Sequence, residues 1–149
     1  MKYFAFRIND SYAEQLSEEL KIGHLRQGWG YNPKLNLREK ATACQDKGAR
    51  KNFPIKDRVK KGDFLLVINM PDKNHVTLAQ ATANFATGYV YDEQSFEGIK
   101  DFGHIFPAKF LVEIPKKEFP TNAFACRRRF FGLEKHKAAL DNLIVKYNF

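Results

Sequence analysis

The sequence predicts an α/β (α+β) domain in which a small curved mixed sheet, or barrel, is flanked by helices. Three observations lead there. Strand-like segments follow one another through short turns, with few helices between them, whereas a doubly wound parallel sheet needs a helix between most strands. One helical pattern follows the first strand and another closes the chain. The 149 residues suit a single core, and 14 Phe and 6 Tyr supply bulk for it. No repeat or low-complexity segment suggests a boundary, so residues 1–149 are expected to form one domain, with a basic insert at about 34–61.

The elements follow in order. Tyr3 to Ile8 alternates, with Phe4, Phe6 and Ile8 on one side and Tyr3, Ala5 and Arg7 on the other, as in a strand with one buried face. Asn9-Asp10-Ser11 breaks it, and Ser11 with Glu14 has capping-box spacing, so a helix with Leu16 and Leu20 inward should start there. Gly23 is its natural stop. His24 to Tyr31 reads as a loop. In the polar segment from Asn32 to Lys61, a helix around Leu37 to Lys47 is one expectation and a partly mobile stretch the other, with Phe53, Pro54, Ile55 and Val59 anchoring the segment's end. Lys61-Gly62-Asp63 is a turn, and Phe64 to Ile68 is an apolar run too short for a helix, hence a strand buried on both faces. After a second turn at Met70 to Asn74, Val76 to Tyr91 is expected as one long strand or a bent pair, with a bend or bulge at Gly88. Asp92 to Gly103 is a loop, Phe106 to Ile114 alternates as a strand, and Leu133, Leu140, Leu143, Ile144 and Tyr147 trace a C-terminal helix.

The net charge of +8 is unevenly placed. Lys34 to Lys61 holds ten Lys/Arg against three acids, Glu39, Asp46 and Asp57, and so carries +7. Arg127-Arg128-Arg129 forms a second cluster. Concentrated positive charge attracts polyanions because neutralised phosphates release counterions. A solvated basic loop is the plainer alternative. No apolar run approaches the roughly 20 residues that span a bilayer. Charge interrupts the N-terminus too early for a signal peptide, so a cytoplasmic location with no membrane partner is expected.

The usual catalytic signatures are absent: GxxxxGK[ST], GxGxxG, GxSxG, HExxH and the HxE…PCxxC deaminase pattern. Cys44 and Cys126 form no CxxC pair, and His24, His75, His104 and His136 are scattered, so neither a metal nor another cofactor is expected. No catalytic residue is assigned. Asp92, Glu93 and Glu97 to Asp101 share a loop without a separated acidic partner.

The aromatic residues outside the core point elsewhere. Trp29, the one tryptophan, stands between Gly28 and Gly30 just before the basic segment. An aromatic ring stacked on a base is worth about 1–3 kcal/mol while cations hold the backbone. Trp29, Tyr31, Tyr89, Tyr91, Phe96 and Phe102 are the candidate walls of a base-binding pocket. Two or three of them are expected to line it and the rest, Tyr89 especially, to be core. Arg50, Lys51, Arg58, Lys60, Lys61, Arg127, Arg128 and Arg129 are the candidate phosphate contacts.

Three stretches resemble the PUA-like superfamily, in particular its EVE and YTH branch. His24 to Gly30 places a tryptophan after the first strand and helix, where the YTH pattern has a cage tryptophan. Gly62-Asp63-Phe64-Leu65-Leu66-Val67, Leu78-Ala79-Gln80-Ala81-Thr82-Ala83 and Tyr89-Val90-Tyr91-Asp92 are similar to a Gly-Asp strand and a small-residue strand ending near an aromatic in EVE-like domains. Phe102 to Leu111, running into Ile114-Pro115, is similar to a YTH stretch in which glycine precedes a strand leading to proline. The likeness implies a barrel-like fold with a pocket for a modified, for example methylated, or flipped-out base. Relatives either read methylated RNA or serve as DNA-recognition domains of modification-dependent restriction systems. The chain departs from the YTH pattern in having one Trp, and the basic insert has no match.

The expected function is therefore a non-enzymatic module that binds nucleic acid, DNA before RNA, with any catalysis on another domain or on a partner such as a nuclease. The alternatives are a PUA-like nuclease or hydrolase acting on RNA or nucleotides, and a protein-interaction module with a basic face.

Overall fold

In a computed structural model, residues 1–92 and 101–149 are described. Seven strands form one mixed sheet among them: β1 (Tyr3–Arg7), β2 (His24–Gln27), β3 (Phe64–Ile68), β4 (His75–Ala81), β5 (Val90–Tyr91), β6 (His104–Pro115) and β7 (Phe130–Gly132). The order is β2-β6-β4-β3-β1-β7, with β5 also on β6. β1 and β3 run parallel, Tyr3 opposite Phe64 through Arg7 opposite Ile68, and every other pair is antiparallel. The long β6 pairs first with β2 and β5 and then, from Ala108, with β4. A register shift between Leu78 and Ala79 adds local bend and twist. The sheet curls into a half-barrel flanked by helices, the architecture the sequence predicts.

Both faces of the sheet are covered. Phe4, Phe6, Leu65, Val67, Ala79 and Ala81 face a layer built on α1 (Ala13–Lys21), through Leu16 and Leu20, and α3 (Phe53–Arg58), through Ile55. The alternate residues Tyr3, Ala5, Phe64, Leu66, Ile68 and Leu78 face α5 (Lys137–Lys146), through Leu140 and Ile144. β1 therefore has two buried faces rather than the one its alternation suggests: the C-terminal helix packs on the second. α1 is opened not by Ser11 but by Asn9, whose side-chain oxygen accepts the Ser11 N–H at 3.0 Å and caps a short 3-10 turn leading into the helix.

Other departures have similar local causes. His24 to Gln27 is not loop but β2, zipped antiparallel onto β6, whose own start lies at His104 rather than Phe106. In the basic segment the expected long helix is only α2 (Lys40–Ala43), between 3-10 turns at Pro33–Leu35 and Ala49–Asn52. Leu35, Leu37, Ala43, Ala49 and Val59 nevertheless bury, so the insert is part of the core and not an appendage. Val76 to Tyr91 breaks after Ala81 into α4 (Phe85–Gly88) and the short β5, and Gly88 ends a helical turn instead of bulging a strand. Phe130 to Gly132, not anticipated, completes the edge beside β1.

Candidate functional site

A cleft of about 290 Å³ opens where β1 and β2 end. Arg7, Ile8 and Asn9 border it from β1, and Arg26 to Trp29 from β2 and the turn beyond. Asp101 and Phe102 close it from before β6, and Arg129 from before β7. Its size sits near the lower end of the roughly 300–1,000 Å³ typical of small-molecule pockets.

Trp29 is the strained member. Its backbone φ is +62°, in the left-handed region that bulky residues avoid. Such a conformation costs about 1–3 kcal/mol and persists only where the surroundings over-determine it. Here they do. The Trp29 N–H donates to Asp101 Oδ1 at 3.0 Å, and the Gly30 N–H to the Asp101 carbonyl at 2.8 Å. The Gly103 N–H donates back to the Gly30 carbonyl at 2.9 Å, and Asn52 Nδ2 to the Gly28 carbonyl at 3.0 Å. The flanking Gly30 is needed for space: a Cβ there would lie 2.9 Å from the Gly103 nitrogen.

His104 fixes the other end of Trp29. Its Nε2 is 2.7 Å from the Trp29 carbonyl, which can only accept, so the proton sits on Nε2. Nδ1 then accepts from the Tyr89 hydroxyl at 2.6 Å, and that oxygen accepts the Leu37 N–H at 3.2 Å. Burial pushes the imidazole down to about 4, the bond to Trp29 opposes this, and the Arg129 charge adds to it. His104 is thus a neutral buried strut.

The indole is boxed in. The Arg129 guanidinium carbon lies 4.3 Å from the Trp29 ring centroid and Lys51 Nζ 5.2 Å from it, and Gly48 presses so close that a Cβ would fall 2.0 Å from Cδ1. Arg129 Nη2 donates to Gln27 Oε1 at 2.8 Å and to Asn52 Oδ1 at 3.3 Å. Among the described residues its Nη1 is buried without a hydrogen bond. Burial holds the guanidinium down to about 10, with Asp101 pulling the other way. Arg7 and Arg26 are engaged in the walls: Arg7 binds the carbonyls of Phe124 and Cys126, while Arg26 pairs with Glu19 and binds the Phe102 carbonyl at 2.8 Å.

Of the six aromatic candidates, Trp29 and Phe102 border the cleft. Tyr89 is core, 2% exposed, because its hydroxyl is spent on His104 and Leu37. Tyr91 donates to the Asn32 carbonyl and borders a separate, more open groove with Pro33 and Lys34. Tyr31 is exposed and does not border the cleft, and Phe96 lies outside the described residues. Of the phosphate candidates, Arg50, Lys51, Arg58, Lys60, Lys61, Arg127 and Arg128 are exposed, whereas Arg129 is turned inward as a cleft wall. Residue-type reasoning missed Asp101, Gln27, Asn52 and His104, whose roles depend on distant partners. Among the described residues no three of His, Cys, Asp and Glu gather as a metal site, and no helix is long and apolar enough to cross a membrane.

No family model matches the chain. Among curated proteins it is similar to cytochrome P450 monooxygenase 1 of Gibberella fujikuroi, 27% identical over 160 aligned positions that cover 98% of this chain and 36% of that protein. The chain spans little more than a third of that relative's length, and a likeness of this size carries no activity across. Cys44 and Cys126 are both exposed, and neither borders the cleft.

Proposed function

We propose that this chain is a nucleic-acid-binding module that holds one modified or flipped-out base in the Trp29 cleft while exposed cations hold the phosphates on either side. The observation that carries the reading is the over-determined strain at Trp29, which is fixed at the cleft by backbone bonds at both its N–H and its carbonyl. Strain of that kind clusters at ligand clamps. Lys51 beside the indole, Arg58 over the Phe4 and Phe130 rings, and Arg127 and Arg128 next to Arg129 supply positive charge near the cleft. Extruding a base costs a few kcal/mol, which stacking and phosphate contacts offset.

Among the described residues the one carboxylate bordering the cleft is Asp101, and its Oδ1 is committed to the Trp29 N–H at 3.0 Å, an arrangement that supports binding. A nuclease or other effector acting on the captured strand would sit on a partner or a further domain, and DNA is favoured over RNA by the likeness to restriction-system readers.

The test is a titration with labelled oligonucleotides, single- and double-stranded, DNA and RNA, plain and methylated on adenine or cytosine, at two salt concentrations. Wild type is compared with Trp29→Ala. The expected result is tighter binding of one modified oligonucleotide, lost in Trp29→Ala above a salt-sensitive background. Absence of binding at low salt would sink the proposal.

A further inference from the structure

Tyr31 is 48% exposed, although it is a large aromatic two residues from the cleft. Among the described residues its hydroxyl has no hydrogen bond and its ring packs against no other ring. Its backbone, by contrast, is clamped on both sides. Gly30 is tied to Asp101 and Gly103. The Asn32 carbonyl accepts the Tyr91 hydroxyl, and Asn32 Oδ1 accepts the Lys34 N–H at 2.9 Å, capping the turn that buries Leu35. A rigid anchor bearing an idle ring is how a contact surface keeps its entropy cost low: few torsions remain to be frozen when a flat ligand arrives.

We propose that Tyr31 is a second stacking platform, which takes the nucleobase next to the one held in the cleft; the idea rests on the base-binding reading above. Two residues of chain span at most about 7 Å. Successive bases of one strand lie about 3.4 Å apart while stacked. Neighbouring nucleotides of one strand are therefore within reach of both residues, and Tyr31 replaces the stacking that the neighbour loses when its partner leaves the stack for the cleft. Exposed Lys34, three residues on, begins the basic segment that would follow the phosphates outward.

The test uses the full chain and the fluorescence of Trp29, its one tryptophan. The probes are adenosine and cytidine monophosphates, plain and methylated, and the matching single-stranded trinucleotides, at one salt concentration. Tyr31→Ala is expected to leave mononucleotide affinity within about twofold and to weaken the trinucleotide by about 5- to 150-fold, the equivalent of one lost base–aromatic stack. Tyr31→Phe keeps the ring and is expected to bind like wild type. Equal trinucleotide affinity in Tyr31→Ala and wild type overturns the platform. A parallel loss for the mononucleotide overturns it too, because Tyr31 would then be shaping the cleft. If wild type binds neither probe, the cleft reading itself falls, a result distinct from the other two.

Discussion

His104 Nε2 donates to the carbonyl of Trp29 at 2.7 Å, so a fully buried imidazole bears the backbone of the most strained residue at the cleft. The relay behind it runs from the Leu37 N–H through the Tyr89 hydroxyl to Nδ1. It joins the basic segment, the end of α4 and the start of β6. Protonating Nδ1 would reverse its bond to Tyr89 and leave a buried hydroxyl hydrogen with no acceptor. The site is therefore built around neutral histidine.

Stability should accordingly depend on pH in a definite window. The His104 imidazole titrates near 6.5 in the unfolded chain and near 4 in the fold, where burial disfavours the cation. Between those values the unfolded chain binds more protons, so stability is full above about pH 6.5 and falls as the pH drops toward 4. The loss approaches about 3 kcal/mol at the acid end. Urea midpoints at several pH values, for wild type and His104→Gln, measure it. The difference in slope between the two proteins belongs to His104, and identical slopes would remove the histidine from the account.

Gly48→Ala tests how tightly the indole is held. Gly48 has ordinary right-handed helical backbone angles, so an added methyl would by itself restrict the unfolded chain and stabilise slightly. That methyl would fall 2.0 to 2.3 Å from three atoms of the Trp29 ring, however, and the steric cost wins. A net loss of about 1–2 kcal/mol is expected, with a shift in tryptophan emission. In a Trp29→Ala background the space is vacant and the penalty should vanish, so the double-mutant cycle isolates the contact. A penalty that survives removal of the indole would place the clash elsewhere.

What the sequence reveals follows the range of the interactions. Phe64 to Ile68 is legible because five consecutive apolar residues state their own burial, and α5 because Leu140, Leu143, Ile144 and Tyr147 repeat at helical spacing. Trp29 is legible as an isolated aromatic between glycines ahead of a basic run, and Phe102 from the stretch that leads into β6. β2 is hidden: His24 to Gln27 alternates poorly, and its strand conformation comes from β6, some 80 residues downstream. Arg129 misleads because Arg127-Arg128-Arg129 reads as one exposed patch. The start of β7 at Phe130 turns its third member inward, onto Gln27, Asn52 and Trp29. His104 and Asn52 carry no local signal at all, since each is defined by the partners it bonds.

That inward turn separates the cations by function and gives the last test. Arg127 and Arg128 are exposed, and among the described residues no hydrogen bond or ion pair engages their side chains, so replacing each by alanine should change stability by no more than about 0.5 kcal/mol. If they meet phosphates, each loss weakens plain and modified oligonucleotides alike. It also flattens the slope of log K against log salt by about 0.7 for single strands and 0.9 for duplex. Arg129→Gln acts on the cleft wall instead and should reduce discrimination between bases while leaving the salt slope near that of wild type. Binding isotherms at four salt concentrations, with one plain and one modified oligonucleotide, resolve both quantities. If Arg127→Ala and Arg128→Ala leave the slope unchanged, the phosphates run along another face, and Lys60 and Lys61 become the residues to replace next.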